Sequence, residues 1–188
     1  MKRLILITGD LATGKSTLAG ILSRRYSCPA FYKDKVKELL ADSIGFSTRE
    51  ENMRLSVAAV ELMIHAFEEI SANGGDLILE ANFKEDELKK IDKLAGEKEY
   101  STMTLVLRAD MDVIYKRFVN RIENENRHPA HQSGFTGYES LKFYIDKGRE
   151  YACFGEHLEI LADDFSYQTD ENILGRIDEF MSKKNESN

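Results

Sequence analysis

Cysteine and proline are scarce in this chain, with two of each in 188 residues. Cys28 and Cys153 follow no metal-ligand or redox spacing, so neither a disulfide framework nor a cysteine-held metal is supported, and free, buried thiols are expected. With only Pro29 and Pro129, no low-complexity stretch and no internal repeat, nothing marks a linker. Residues 1–188 are therefore expected to form a single domain. No apolar run approaches the ~20 residues of a membrane span. The opening Met1-Lys2-Arg3-Leu4-Ile5-Leu6-Ile7 has too short an apolar run to serve as a signal peptide, and a cytoplasmic setting is expected. Basic excess is also missing: 26 Lys and Arg face 33 Asp and Glu, a net charge of −7. That balance argues against a nucleic-acid partner, whose surface needs a broad basic face, while leaving room for a local basic pocket.

What is present is concentrated near the start. Residues 9–16 read Gly9-Asp10-Leu11-Ala12-Thr13-Gly14-Lys15-Ser16, a complete G-x-x-x-x-G-K-S phosphate-binding (Walker A) loop. An apolar run, Leu4 to Ile7, precedes it, and the helical pattern of Leu18, Ile21 and Leu22 follows, which is the context the motif requires. Gly9 and Gly14 let the backbone curl so that successive N–H groups face a polyphosphate. A helix starting near Lys15 adds its N-terminal partial positive charge. Lys15 is placed to reach the β- and γ-phosphates, and Ser16 to ligate Mg²⁺. Residues Gly9 to Ser16 are thus the nucleotide-binding set, with Thr17 in a lesser role.

Apolar runs alternate with helical patterns to the end of the chain. Strands are expected at Arg3–Thr8, Cys28–Tyr32, Asp76–Glu80, Thr102–Leu107 and His157–Leu161, with helices between them. That alternation predicts a parallel sheet covered on both faces, a three-layer α/β/α fold. Glu51–Ser71 is the longest helical pattern. Met53, Val57, Val60, Ile64 and Phe67 form one apolar stripe, and Leu55, Ala59, Leu62 and Ala66 a second, predicting a helix wedged between two layers. His65 falls on the polar strip and is expected to be solvated.

In open parallel sheets, ligands gather at the carboxyl ends of the strands. Those ends carry the phosphate loop, Lys33-Asp34-Lys35, Glu80-Ala81-Asn82, Arg108 and Asp163-Asp164. Asp34 is the candidate for accepting a proton from an acceptor hydroxyl; it could instead cap the helix Lys35–Leu40, and the two roles are compatible. Glu80 is the candidate for holding a metal through water, the alternative being a carboxylate that merely ends a strand. Lys37, one helical turn on, is expected to be a solvated lysine, the alternative being that it faces the same cleft.

Asp110 is placed to cap a helix whose apolar side is Met111, Ile114, Tyr115, Phe118 and Ile122. Arg117 and Arg121 are four residues apart and stack on another face. A polar, proline-broken stretch follows, with Arg127, His128 and His131. A segment from about 117 to 136 carrying Arg121 and Arg127 has the make-up of a mobile lid over a polyphosphate, where guanidinium groups stabilise charge during transfer. A solvated basic loop is the alternative. His128 and His131 have no third ligand nearby to make a metal site.

These pieces together resemble the nucleoside-monophosphate-kinase-like group of P-loop proteins, which includes adenylate, shikimate and gluconate kinases, chloramphenicol phosphotransferase, zeta toxins and polynucleotide kinases. The stretches YKDKVKEL, ILEANF and RFVNRIENENRHPAH are most similar to its "predicted kinase" branch, from Leu4 to about Met181. The resemblance implies a five-stranded sheet in the order 2-3-1-4-5, and ATP with Mg²⁺. It further implies an acceptor-side aspartate, which Asp34 matches, and an R-x-x-x-R lid pair, which Arg117 and Arg121 match. Arg117 would lie against the adenine, bordered by the loop Asp163–Ser166.

The chain departs from adenylate kinases, having Glu80-Ala81-Asn82-Phe83 where they carry D-G-[FY]-P-R after the third strand. It also lacks the N-K-x-D guanine signature. The expectation is an ATP- and Mg²⁺-dependent phosphotransferase acting on a hydroxyl of a small molecule. An ATP-driven switch and a polynucleotide or nucleotide-sugar kinase are the alternatives. The acceptor and the oligomeric state stay open.

Overall fold

The computed structural model describes residues 2–124, 127–131, 134–150 and 153–183. Its centre is β1 (Lys2–Gly9), in which Leu4, Ile5, Leu6 and Ile7 are all fully buried. An unbroken apolar run suits this strand because both of its faces are covered. Ile5 and Ile7 pack with Leu18 and Leu22 of α1 (Lys15–Tyr26) and with Ile177 and Phe180 of α7 (Glu171–Ser182). Leu4 and Leu6 point the other way, toward Met63 and Phe67 of α3 (Arg49–Ala72) and Leu88 and Ile91 of α4 (Glu85–Glu97).

Around β1 lie β2 (Ala30–Tyr32), β3 (Leu77–Glu80), β4 (Tyr100–Arg108) and β5 (Glu156–Leu161), all parallel, in the order 2-3-1-4-5. All five strands fall where the apolar runs place them, and the sheet is the expected three-layer α/β/α arrangement. The remaining helices are α2 (Lys33–Ile44), α5 (Met111–Asn124) and α6 (Tyr138–Arg149), with 3₁₀ turns at Pro129–His131 and Ser166–Gln168. β1 is the switch point of the sheet: β3 lies on one side and β4 on the other, which opens a crevice above its carboxyl end.

The long helix α3 begins two residues before its expected start, because Thr48 and Glu51 form a capping box. Thr48 Oγ1 accepts from the Glu51 amide at 3.2 Å, and Glu51 Oε2 from the Thr48 amide at 3.0 Å. The two-stripe expectation for this helix is corrected. Leu55, Ala59, Val60, Met63 and Phe67 form one buried stripe, whereas Met53, Val57 and Leu62 are 56%, 50% and 46% exposed. Along that one stripe Met63 and Phe67 pack over the sheet and Leu55 against Ala41 of α2 and Ala130, while Met53 and Val57 look into the crevice. His65 is exposed, as expected.

On α5, Ile114 and Phe118 are buried with Leu141 and Ile145 of α6, but Ile122 is exposed. Asp110 Oδ1 accepts from the Asp112 amide at 2.8 Å, the capping expected of it. Both cysteines are free; Cys28 is buried and Cys153 half-buried. Among the described residues no helix is long and apolar enough to cross a membrane.

Candidate active site

Gly9 and Gly14 both adopt positive φ, at 115° and 84°. A Cβ on Gly9 would sit 2.1 Å from the Leu107 carbonyl oxygen, and one on Gly14 2.5 Å from the Tyr167 hydroxyl, so each position excludes a side chain. Ala12 also has positive φ, 59°, within the same curl. The loop is braced internally: Thr13 Oγ1 donates to the Asp10 carbonyl at 2.8 Å, and Lys15 Nζ to the same oxygen at 2.5 Å. Gly14 forms the N-cap of α1 without a side-chain cap, so the first-turn N–H groups remain available to an anion.

Residues far along the chain hold this loop in place. Asp10, counted with the nucleotide-binding set from its place in the motif, turns its carboxylate away. That carboxylate is buried and accepts from Arg149 Nη2 at 2.6 Å, Arg149 Nε at 3.1 Å and the Ala109 amide at 3.1 Å. Only its backbone belongs to the loop. Leu11 packs its side chain with the α5–α6 cluster. Tyr167 donates to the Thr13 carbonyl at 2.7 Å. The sequence reading missed both Arg149 and Tyr167, which lie beyond any motif.

Lys15, Ser16, Thr17, Asp34, Glu80, Arg121 and Arg127 all line one cleft of about 470 Å³. Glu80 ends β3, its partners in register being Ile7 and Tyr32. It is 5% exposed and accepts from Ser16 Oγ at 2.9 Å. Burial pushes the Glu80 carboxyl up, opposed by the Lys15 charge and the Ser16 hydrogen bond. Burial pushes the Lys15 ammonium down, against the attraction of Glu80, Asp34 and Asp10. A buried carboxylate beside a loop hydroxyl is a donor set of two hard oxygens, the chemistry Mg²⁺ selects. Ser16 and Glu80 therefore fit that ion.

Asp34 is not the cap of α2. The N-cap position belongs to Tyr32, with no side-chain hydrogen bond, and Asp34 lies in the first helical turn. Its side chain is 66% exposed to the cleft, 3.9 Å from His131 Nδ1. Thr17, given a lesser role from the sequence, also lines the cleft.

The Arg117 guanidinium carbon lies over the Phe165 ring, 4.3 Å from its centroid, and the side chain donates to the carbonyls of Ala162, Asp163 and Ala12, at 2.7, 2.8 and 3.4 Å. It ties the phosphate loop to the loop after β5. Arg121 is close enough to Lys15 for its charge to help lower the lysine.

Of the 117–136 segment, residues 125–126 and 132–133 lie outside the described residues. Residues 127–131 are pinned to α2 and α3 rather than standing clear of the body. The Ala130 carbonyl accepts from Lys37 Nζ at 2.7 Å and Asn52 Nδ2 at 3.2 Å, and Ala130 packs against Ala41 and Leu55. His128 Nε2 lies 3.0 Å from Asp42, and His131 Nε2 2.8 Å from Glu38. The expectation of a solvated Lys37 is thus corrected: it is buried, and burial lowers its ammonium.

A family model described as an AAA domain matches residues 5–135, well over half of the chain, from within β1 through the pinned turn. The chain belongs to that family. Its fold is that of the P-loop, nucleoside-monophosphate-kinase-like group, and solved structures share it. A candidate kinase from Chloroflexus aurantiacus J-10-fl is 28% identical over 97% of this chain and 99% of that one, with a TM-score of 0.83. The APS kinase CysC of Mycobacterium tuberculosis, solved with AMPPNP and APS, is 16% identical over 96% and 98%, with a TM-score of 0.63. The tunicamycin resistance protein of Deinococcus radiodurans is 19% identical over 94% and 96%, with a TM-score of 0.61. No curated protein matches the chain.

Proposed function

We propose that this family member is an ATP- and Mg²⁺-dependent kinase that phosphorylates a hydroxyl of a small molecule. The observation that carries this reading is the position of Asp34. Its carboxylate does not cap a helix, and it opens into the same cleft as Lys15, Ser16 and Glu80. A nucleotide switch needs the loop and the metal ligands but has no use for a base on the acceptor side. An ATP-type donor is supported by the APS kinase of the same fold, which was solved with AMPPNP.

The α1 N-terminus and Lys15 would hold the β- and γ-phosphates, with Arg117 on the adenine side. Ser16 directly, and Glu80 through water, would hold Mg²⁺, which when bound neutralises charge on the phosphate oxygens. Asp34 accepts the proton of the acceptor hydroxyl as its oxygen forms a bond to the γ-phosphorus. The bond from that phosphorus to the β–γ bridging oxygen breaks, and ADP departs with the electron pair. Arg121 and Arg127 stabilise the charge that develops on the transferred group.

Mixing the full chain with Mg-ATP and a panel of hydroxylated metabolites, aminoglycosides and nucleosides, and following ADP release, tests the proposal. An acceptor-dependent rate supports it. ATP turnover that no hydroxyl compound stimulates returns the protein to the switch reading.

A further inference from the structure

The turn pinned to α2 carries two histidines, and the structure uses them differently. His128 spends both ring nitrogens on the protein: Nε2 lies 3.0 Å from Asp42, and Nδ1 accepts from the Ala130 amide at 3.1 Å. His131 spends one. Its Nε2 lies 2.8 Å from Glu38, while Nδ1 makes no hydrogen bond among the described residues and stands 3.9 Å from Asp34. An ionised Glu38 can only accept, so Nε2 carries the proton and Nδ1 keeps its lone pair. Asp34 and Glu38 are four residues apart on α2, so one helix face presents both carboxylates to one ring.

His131 lines the catalytic cleft, and its free nitrogen is not sealed off. The buried side-chain nitrogens and oxygens without a partner among the described residues are Arg3 Nε, Asn52 Oδ1 and Asn82 Oδ1. The 3.9 Å between Nδ1 and Asp34 is too long for a hydrogen bond, but one water oxygen at ~2.8 Å from each spans it. The ring is held in place, on a turn whose Ala130 carbonyl accepts from Lys37 and Asn52. The other charged groups around it are Lys37 and Asp42 on α2, Arg49 at the start of α3, and Arg127 and His128 on its own segment. Lys37 is committed to the Ala130 carbonyl and His128 to Asp42, and neither guanidinium gives up a proton. That leaves Asp34 as the group that can hand one to Nδ1.

We infer that Asp34, His131 and Glu38 form a relay for the proton of the acceptor hydroxyl. This rests on the kinase reading. Asp34 takes the proton as the hydroxyl oxygen bonds to the γ-phosphorus. The new O–H bond on Asp34 then breaks, its electron pair stays on the carboxylate, and a proton passes through the bridging water to the Nδ1 lone pair. Imidazole is a stronger base than carboxylate, so the transfer runs toward the ring, and the imidazolium forms between two carboxylates. Asp34 is thereby restored as an anion, and the ring releases its proton to solvent after the products leave. Glu38 is a positioning residue: it fixes the tautomer that leaves Nδ1 open.

Two variants of the full chain test this, with thermal melting to verify that each folds. His131→Gln keeps a donor for Glu38 but cannot take up a proton. Glu38→Gln can donate as well as accept, so it no longer dictates the tautomer. Nitrogen NMR of the neutral imidazole reads the tautomer without any turnover. The pH profile of kcat, with the acceptor found by the ADP-release panel, reads the relay. Below the pH at which the ring is already protonated, Nδ1 has no room for another proton, and wild type should lose rate along an acid limb.

The expected result is a proton on Nε2 and none on Nδ1 in wild type, and a mixture of both tautomers in Glu38→Gln. His131→Gln should lower kcat by ~10-fold or more and abolish the acid limb. Because the relay starts at Asp34, the double variant Asp34→Asn/His131→Gln should stay within about twofold of Asp34→Asn alone. The relay is overturned by a neutral ring protonated on Nδ1 in wild type, by wild-type kcat and acid limb in His131→Gln, or by losses that multiply in the double variant. Those outcomes leave the kinase reading standing, whereas wild type without any acceptor-dependent ADP release brings down that reading and the relay with it.

Discussion

Ser16 Oγ donates to Glu80 Oε2 at 2.9 Å, across 64 residues of sequence. One bond thereby joins the first turn of α1 to the last residue of β3, and it sets side by side the two oxygens proposed to hold a nucleotide-bound cation. Glu80→Gln keeps the shape and an acceptor oxygen but loses the charge. With Glu80 proposed to act through water, the variant is expected to weaken the apparent affinity for Mg²⁺ by ~10–100-fold, as outer-sphere changes do. Titrating Mg²⁺ at saturating ATP measures it, and an unchanged half-saturation would remove Glu80 from the metal site.

The same substitution has a pH signature in the metal-free protein. Burial raises the Glu80 carboxyl in the folded state. Its contribution to stability is therefore full below the unfolded pKa and is lost as pH rises through the folded value. Glutamine does not titrate. The Glu80→Gln variant should thus gain stability relative to wild type between the ordinary glutamate range and neutrality, as read from denaturant melts at a series of pH values. The opposite slope would mean that Glu80 is held as a stabilised anion.

Asp34→Asn separates a proton acceptor from a bystander. The side chain is 66% exposed and caps nothing, so folding stability should change little. Loss of a general base costs ~10²–10⁴ in rate. With the acceptor found by the ADP-release panel, kcat should fall by that factor while nucleotide affinity, measured by titration, stays within about twofold of wild type, since the proposed phosphate ligands lie on a different loop. Wild-type kcat in the amide variant would leave the acceptor side without a base.

Arg121→Ala and Arg127→Ala should lower kcat more than they raise the KM for ATP, by ~10²–10³ if each meets charge formed only during transfer. Steady-state kinetics over a full ATP range separates the two effects. A change confined to KM in both variants would make them ground-state phosphate ligands.

Lys37→Met tests whether the turn at Pro129–His131 is held down by its backbone. The methionine keeps the apolar stem but cannot donate to the Ala130 carbonyl, now bonded at 2.7 Å. Losing one partner of a buried pair costs ~1–3 kcal/mol, enough to raise the open population severalfold or more. Tryptic cleavage after Arg127 should accelerate accordingly. A wild-type cleavage rate would assign the hold to the pairs His128–Asp42 and His131–Glu38.

Much of the site was legible before any coordinates. The strand, loop and helix from Lys2 to Tyr26 are contiguous, so their apolar runs and glycines describe one local unit. The strand ends could also be read off, because apolar runs stop where side chains meet solvent, and that placed Asp34 and Glu80 at the same edge. The start of α3 was legible too, in Thr48-x-x-Glu51, although that pair went unread.

Other features depended on the packed chain. The bond from Arg149 to Asp10 spans 139 residues, and that from Tyr167 to Thr13 spans 154. Neither leaves a trace in spacing, since each exists only because helices and loops from different crossovers meet above β1. Which face of α3 is buried was undecided by periodicity, because apolar residues occupy both sides, and only the sheet beneath selects one. Lys37 reads as a surface lysine until the Ala130 carbonyl arrives from 93 residues away to take its proton donor. The sequence by itself determined the glycine-rich loop, the strands and which residues stand at each strand end. Tertiary structure alone decided which side chains brace that loop, which helix face meets the core, and which carboxylates flank His131, because these depend on how separate units pack and not on any one of them.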